Sequence, residues 1–188
     1  MSKRLFIAMK INPASEILDF FSEIKELLED EKINWVKENN FHLTLKFLGE
    51  TDEETIPEIS VALQQICSET EPFEFQLTGS GYFGSHKSPR VVFIKIRNTA
   101  KLESLSSEIN DRLLNCGFEN ENRKFKAHLT LGRIKFIKNT QAFYVHLEKH
   151  KNTFFQSVKV DEIILYESKL QPEGPVYKAV EKFPFKGL

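Results

Sequence analysis

The sequence predicts an α+β fold made of two related halves. Three observations carry this. Runs of large apolar residues with strand character alternate with amphipathic segments at helical spacing. The tetrapeptide His-Leu-Thr-Leu occurs twice, at 42–45 and 128–131, so its leading His residues stand 86 positions apart (128 − 42). Each copy follows a strand and a long amphipathic helix and precedes another helical segment, so the chain reads as two copies of one unit.

The elements follow in order. "RLFIAMKI" (4–11) is apolar and stops at Asn12-Pro13, which predicts a strand. In "PASEILDFFSEIKELLED" the residues Ile17, Phe20, Phe21, Ile24, Leu27 and Leu28 fall at helical spacing, with Ser15 and Glu16 in the cap and first turn. A short "NWVK" leads into the first repeat, a strand. "DEETIPEISVALQQICSE" is helical, with Pro57 in its first turns. "FEFQLTGSGYFG" alternates and then meets three glycines, so a Gly-rich loop is expected over 79–90. "RVVFIKI" (90–96) is a strand, and "KLESLSSEINDRLLNCG" a helix closed by Gly117. The second repeat is a strand and "NTQAFYVHLEKH" a shorter helix. "TFFQSVKVDEIILYESKL" supplies one or two strands and "GPVYKAVEKFPF" a last one. In outline this is β-α-β-β-α-β, twice. No Ser/Gly/Pro-rich spacer or charge block separates the halves. Residues 1–188 are therefore expected to form a single domain, with two lobes built around the repeats and sharing one core.

The bulk composition narrows the class. Apolar residues are 40% and charged residues 28%, the balance of a folded, soluble chain. The formal net charge of −1 argues against a grip on long nucleic acid through many phosphates, which needs a strong basic field. A partner with one or two phosphates fits better. Cys67 and Cys116 form neither a CxxC pair nor a zinc spacing, and reduced, mostly buried thiols are expected. The apolar run of "MSKRLFIAMKINP" is too short for a signal peptide, and no run approaches the ~18 apolar residues of a membrane span. A cytoplasmic protein that neither enters a membrane nor requires a protein partner, and is a monomer, is the resulting expectation.

Strand geometry gives the repeat its meaning. Successive side chains face opposite sides of a strand. His42, Thr44 and, by periodicity, Lys46 share one face, while Leu43, Leu45 and Phe47 share the other; His128 and Thr130 oppose Leu129 and Leu131. Each strand thus buries its leucines and presents an imidazole and a hydroxyl ~6–7 Å apart. If a pseudo-twofold axis relates the halves, two imidazoles and two hydroxyls meet across a cleft. Imidazoles titrate near pKa ~6.5, so one can act as base while the other acts as acid. Two hydroxyl donors suit the non-bridging oxygens of a phosphoryl group. The set fits in-line substitution at phosphorus without a metal or cofactor. A metal site would need further ligands at recognisable spacing, and no HxH, HExxH or CxxC is present. His86 falls in a loop. His146 and His150 stand at i,i+4 on a helix, where a solvated face is expected.

The blocks "NWVKENNFHLTLKFLGE", "SPRVVFIKI", "KAHLTLGRI" and "LYESKLQPEGPVYKAVEKFPF" resemble the 2H phosphoesterase superfamily, and within it the RNA 2′,3′-cyclic phosphodiesterases, historically called 2′-5′ RNA ligases. The resemblance spans nearly the whole chain. Ala127 departs from it, standing where family members commonly have Pro; Ala allows the same extended backbone. The resemblance implies a bilobal fold, each lobe an antiparallel sheet with flanking helices, around an active-site cleft. It implies opening of a terminal 2′,3′-cyclic phosphate on RNA, such as a tRNA fragment, to a 2′-phosphomonoester, a step of RNA processing. His42 would be the proton donor, His128 the proton acceptor, and Thr44 and Thr130 the phosphate-binding hydroxyls. With an RNA 5′-hydroxyl as nucleophile the same site would form a 2′-5′ linkage. Activity on 2′-5′ oligonucleotides or small cyclic nucleotides, or RNA binding without turnover, are the alternatives.

Around the site, Arg133 lies five residues after His128, on the opposite face unless a bulge intervenes; contact with phosphate or a surface salt bridge are both open to it. Lys46 could meet phosphate from the His42 face. Tyr82 or Phe83 could stack on a terminal base, with core burial the competing role for Phe83. "RKFK" (123–126) could add a small basic rim.

Overall fold

The computed structural model describes residues 1–119, 124–172 and 174–187. The chain runs β1 (Ser2–Lys10), α1 (Ser15–Leu27), β2 (Lys32–Trp35), β3 (His42–Asp52), α2 (Ile56–Glu69), β4 (Phe73–Ser85), β5 (Ser88–Arg97), α3 (Ala100–Leu114), β6 (His128–Phe136), α4 (Thr140–Lys149), β7 (Phe154–Val160), β8 (Glu162–Lys169) and β9 (Val176–Pro184). The strands form two sheets, in orders β3-β1-β8-β9 and β2-β6-β5-β4-β7. Each neighbouring pair is antiparallel.

The helices form as their spacing demands. α1 buries Ile17, Phe20, Phe21 and Ile24, while Leu27 turns out to solvent and Leu28, just past the helix end, is buried instead. Pro57 sits in the first turn of α2, where its missing N–H has no helical acceptor to lose. α3 closes as expected at Gly117: the Gly117 N–H donates to the Leu114 carbonyl and the Phe118 N–H to that of Leu113, with φ +84° at the glycine. No helix among the described residues is long and apolar enough to cross a membrane. Cys67 is buried and Cys116 half-buried, both as free thiols, and burial pushes the Cys67 thiol up to about 12.

Two expectations change. The second half does not repeat β-α-β-β-α-β but runs β5-α3-β6-α4-β7-β8-β9. The halves also exchange parts. β4 crosses to pair with β5, while β8 returns to pair with β1 and carries β9 on its other edge. α1 packs on α4 and β7, whereas α3 packs on β3 and α2. Neither half of the sequence could complete its own sheet, and one continuous apolar cluster runs through both sheets. The expected Gly-rich loop is a hairpin instead, with β4 continuing through Gly79, Gly81 and Gly84. Gly79 and Gly84 fall where β4 departs from its register with β5. At Gly79 (φ +81°) a Cβ would lie 2.2 Å from the Lys151 carbonyl oxygen, and at Gly84 (φ +110°) 2.5 Å from that of Ser88.

Candidate active site

β3 and β6, one from each sheet, approach one another, and each begins with its repeat. Leu43, Leu45, Leu129 and Leu131 are buried in the core. His42, Thr44, His128 and Thr130 are half-buried on the other face. The two strands therefore bring both imidazoles to the cleft side, close enough that charge on His128 disfavours charge on His42.

Both rings are held the same way. His42 Nδ1 lies 2.6 Å from the carbonyl of Asn40, and His128 Nδ1 2.6 Å from that of Lys126, each two residues upstream. A carbonyl can only accept, so Nδ1 carries hydrogen in both rings and each neutral ring leaves its Nε2 lone pair free. Asn40 is itself fixed: its Nδ2 donates to the Pro175 carbonyl at 2.8 Å, tying the turn before β3 to the segment before β9. Aromatic rings box in each imidazole. Phe6 and Tyr177 lie 5.2 and 5.1 Å from His42, centroid to centroid, and Phe83 and Phe93 lie 4.8 and 5.3 Å from His128.

This burial is the main reason that both imidazoles are held below their ordinary value of 6.5. The carbonyl bonds pull the other way, and the Arg133 guanidinium lowers both again. Both rings are thus neutral near pH 7 in the free protein, one of them already in the state a general base needs. The other needs a proton, which an anion bound between them would favour.

A matched pair of bulges fixes what surrounds the rings. β3 departs from its register with β1 at Leu45, and β6 from its register with β5 at Leu131. In β3 this sends Lys46 inward and Phe47 to the surface. In β6 it buries Gly132 and exposes Arg133, at the same distance from His128 as Phe47 from His42. Arg133 therefore does not oppose the histidines as simple alternation would have it. Its charge acts on His42, His128 and Tyr177 alike, and it lines a cavity of about 510 Å³ with Trp35, Asn40 and Tyr177.

Lys46 needs the opposite correction. Only 2% of it is exposed, and its amine donates to Asn110 Oδ1 at 2.5 Å and to the Glu119 carbonyl at 3.1 Å. It ties β3 to α3 and the segment beyond, and it also lines the cavity that Thr44 and His128 share. Tyr82 is not brought to the histidines: it packs on Phe143 and Tyr144 of α4. Its neighbour Phe83 lies edge-on to His128. Of "RKFK", Arg123 lies outside the described residues. Lys124 and Lys126 line a cavity of about 660 Å³ with Thr44, Phe47, Phe83 and His128. His86 stands at the exposed hairpin turn, stacked on Tyr144.

Sequence reasoning misses six contributors: Phe6, Phe47, Phe93, Tyr177 and the carbonyls of Asn40 and Lys126. Asn40, Phe47 and Lys126 had a signal in their nearness to a repeat; Phe6, Phe93 and Tyr177 arrive from strands β1, β5 and β9 by sheet pairing.

The family model for LigT-like phosphoesterases matches the chain twice, over residues 9–93 and 94–177. An RNA 2′,3′-cyclic phosphodiesterase of Thermotoga maritima is 37% identical, covering 98% of this chain and 96% of its own. One of Methanocaldococcus jannaschii is 34% identical, covering 96% and 99%. Among solved structures, that of a Thermus thermophilus protein superposes with a TM-score of 0.79 at 28% identity, over 98% of both chains.

Proposed function

The chain belongs to the LigT-like phosphoesterase family, and from that premise we propose that it hydrolyses the 2′,3′-cyclic phosphate at the 3′ end of RNA to a 2′-phosphomonoester. His128 Nε2 removes a proton from water, and the water oxygen attacks phosphorus in line with the 3′ oxygen. The P–O3′ bond breaks, and the 3′ oxygen leaves with its electron pair and takes the proton from Nε2 of His42. The reaction leaves His42 neutral and His128 protonated, and exchange with solvent resets both. Thr44 and Thr130 donate their hydroxyls to the non-bridging oxygens, where charge builds in the transition state. Arg133 adds a full positive charge beside them. With an RNA 5′-hydroxyl in place of water, the same steps form a 2′-5′ linkage.

One observation carries this reading: the two imidazoles are matched in tautomer, each with Nδ1 tied to a carbonyl and Nε2 free. A binding module has no need of two proton-transfer groups so fixed. The cavity beside His128 supports RNA as the substrate. Exposed Phe47 and half-buried Phe83 offer faces for a terminal base, and Lys124 and Lys126 offer charge for the next phosphate.

The test is a short RNA ending in a 2′,3′-cyclic phosphate, with the product read by phosphorus NMR in the presence of EDTA. A 2′-monoester is expected. A 3′-monoester, or an intact substrate beside turnover of another phosphodiester, would overturn the assignment.

A further inference from the structure

His146 and His150 do not lie on a solvated helix face. They point from α4 toward α1, where Phe20 stacks on His146 (centroids 5.3 Å, 15° between planes) and packs against His150 at 4.9 Å. Their own rings are 4.8 Å apart. Both Nε2 atoms are buried, and neither has a hydrogen-bond partner among the described residues. Glu23, one turn along α1 from Phe20, brings a carboxylate oxygen to 3.7 Å from His150 Nε2. One ligand atom from each of Glu23, His146 and His150 fits within a mutual distance of 4.8 Å.

From this geometry we propose that Glu23, His146 and His150 bind a divalent transition-metal ion, with zinc the best match, and so clamp α1 to α4 at a place distinct from the paired histidines of the cleft. Two imidazoles and a carboxylate are a zinc-type donor set, whereas magnesium and calcium prefer all-oxygen sites. Histidines at i,i+4 on one helix face are a recurrent way to present two nitrogens to one ion. Zinc holds nitrogen and oxygen ligands at ~2.0–2.1 Å, so its ligands sit roughly 3.4 Å apart. Glu23, whose side chain is 54% exposed, gives the ion its entry path. Thr153 Oγ1, 3.4 Å from His150 Nδ1, is placed to accept that N–H and so leave the Nε2 lone pair for the metal.

The test titrates the tag-free, EDTA-treated full chain with Zn²⁺ by calorimetry and with Co²⁺ by visible absorption. One equivalent is expected to bind, with Co²⁺ bands of a low-coordinate nitrogen/oxygen site, and zinc should raise the melting temperature. His146→Gln and Glu23→Gln should each weaken binding at least tenfold. Glu23 is exposed, so its replacement tests the ligand even if the His146 variant folds poorly. The His42→Ala variant should bind as the wild type does. Absence of saturable binding, binding as tight as wild type by Glu23→Gln or His146→Gln, or loss of binding in His42→Ala would each overturn the site.

Discussion

The claim that each repeat divides its work between its two faces makes a sharp prediction about neighbouring residues. Leu129 and Thr130 are adjacent in β6, yet Leu129 is fully buried and Thr130 faces the cleft. Leu129→Ala leaves a cavity in the core, which costs about 2–5 kcal/mol for a buried leucine. In a chain of 188 residues, each kcal/mol lowers the melting temperature by roughly 2–4 °C, so a fall of roughly 4–20 °C is expected. Turnover measured well below that temperature should stay within about threefold of wild type, because none of the groups proposed to meet the phosphate has changed. Thr130→Val keeps the shape and removes one donor. It should melt within about 2 °C of wild type and lose ~10²–10³ in kcat, the usual loss for one donor to a developing oxyanion. Thermal melts and turnover of the cyclic phosphate RNA, run on both variants, give four numbers. The reasoning fails if Thr130→Val keeps wild-type kcat, or if Leu129→Ala loses turnover without losing stability.

Other perturbations test the roles proposed for the cations and the imidazoles. Lys46→Met strips a buried amine from Asn110 and the Glu119 carbonyl, so it should cost about 2–4 kcal/mol of stability while KM for RNA stays put; the reverse pattern would return Lys46 to the binding surface. Arg133→Gln removes a charge that lowers both cleft histidines, so the whole pH profile of kcat/KM should move to higher pH, and a shift to lower pH would contradict the placement of Arg133. Four histidines, His42, His128, His146 and His150, are held below 6.5 mainly by burial. The unfolded chain then binds more protons in the window below 6.5, so the stability they contribute is present above that value and lost as pH falls through their folded values. Melting temperatures taken in EDTA from about pH 7.5 to 5 should fall, and a flat series would show that these rings are not buried neutral.

Much of this was legible in the sequence because strand and helix periods are local. Two residues of spacing suffice to place His42 with Thr44 and His128 with Thr130, and i,i+3,i+4 spacing suffices for the buried face of α1. What escaped is set by partners distant in sequence. The bulges at Leu45 and Leu131 arise from register against β1 and β5, and they alone decide that Lys46 turns inward while Arg133 turns toward the histidines. The exchange of β4, β8 and β9 between sheets leaves no local trace, since an antiparallel strand reads the same whichever sheet it joins. His146 and His150 look like a polar helix face until Phe20 arrives from α1 to cover them.

Catalysis by the paired imidazoles is tested most directly by one measurement: kcat/KM against pH, with an RNA 2′,3′-cyclic phosphate, for the wild type and for His42→Ala and His128→Ala. The wild type should give a bell, one limb for each member of the pair, centred on the acid side of the ordinary imidazole value of 6.5. Each variant should lose about 10²–10⁴ in rate, together with one limb. A wild-type profile without two limbs, or full turnover by either variant, would contradict an acid and a base acting on one phosphorus.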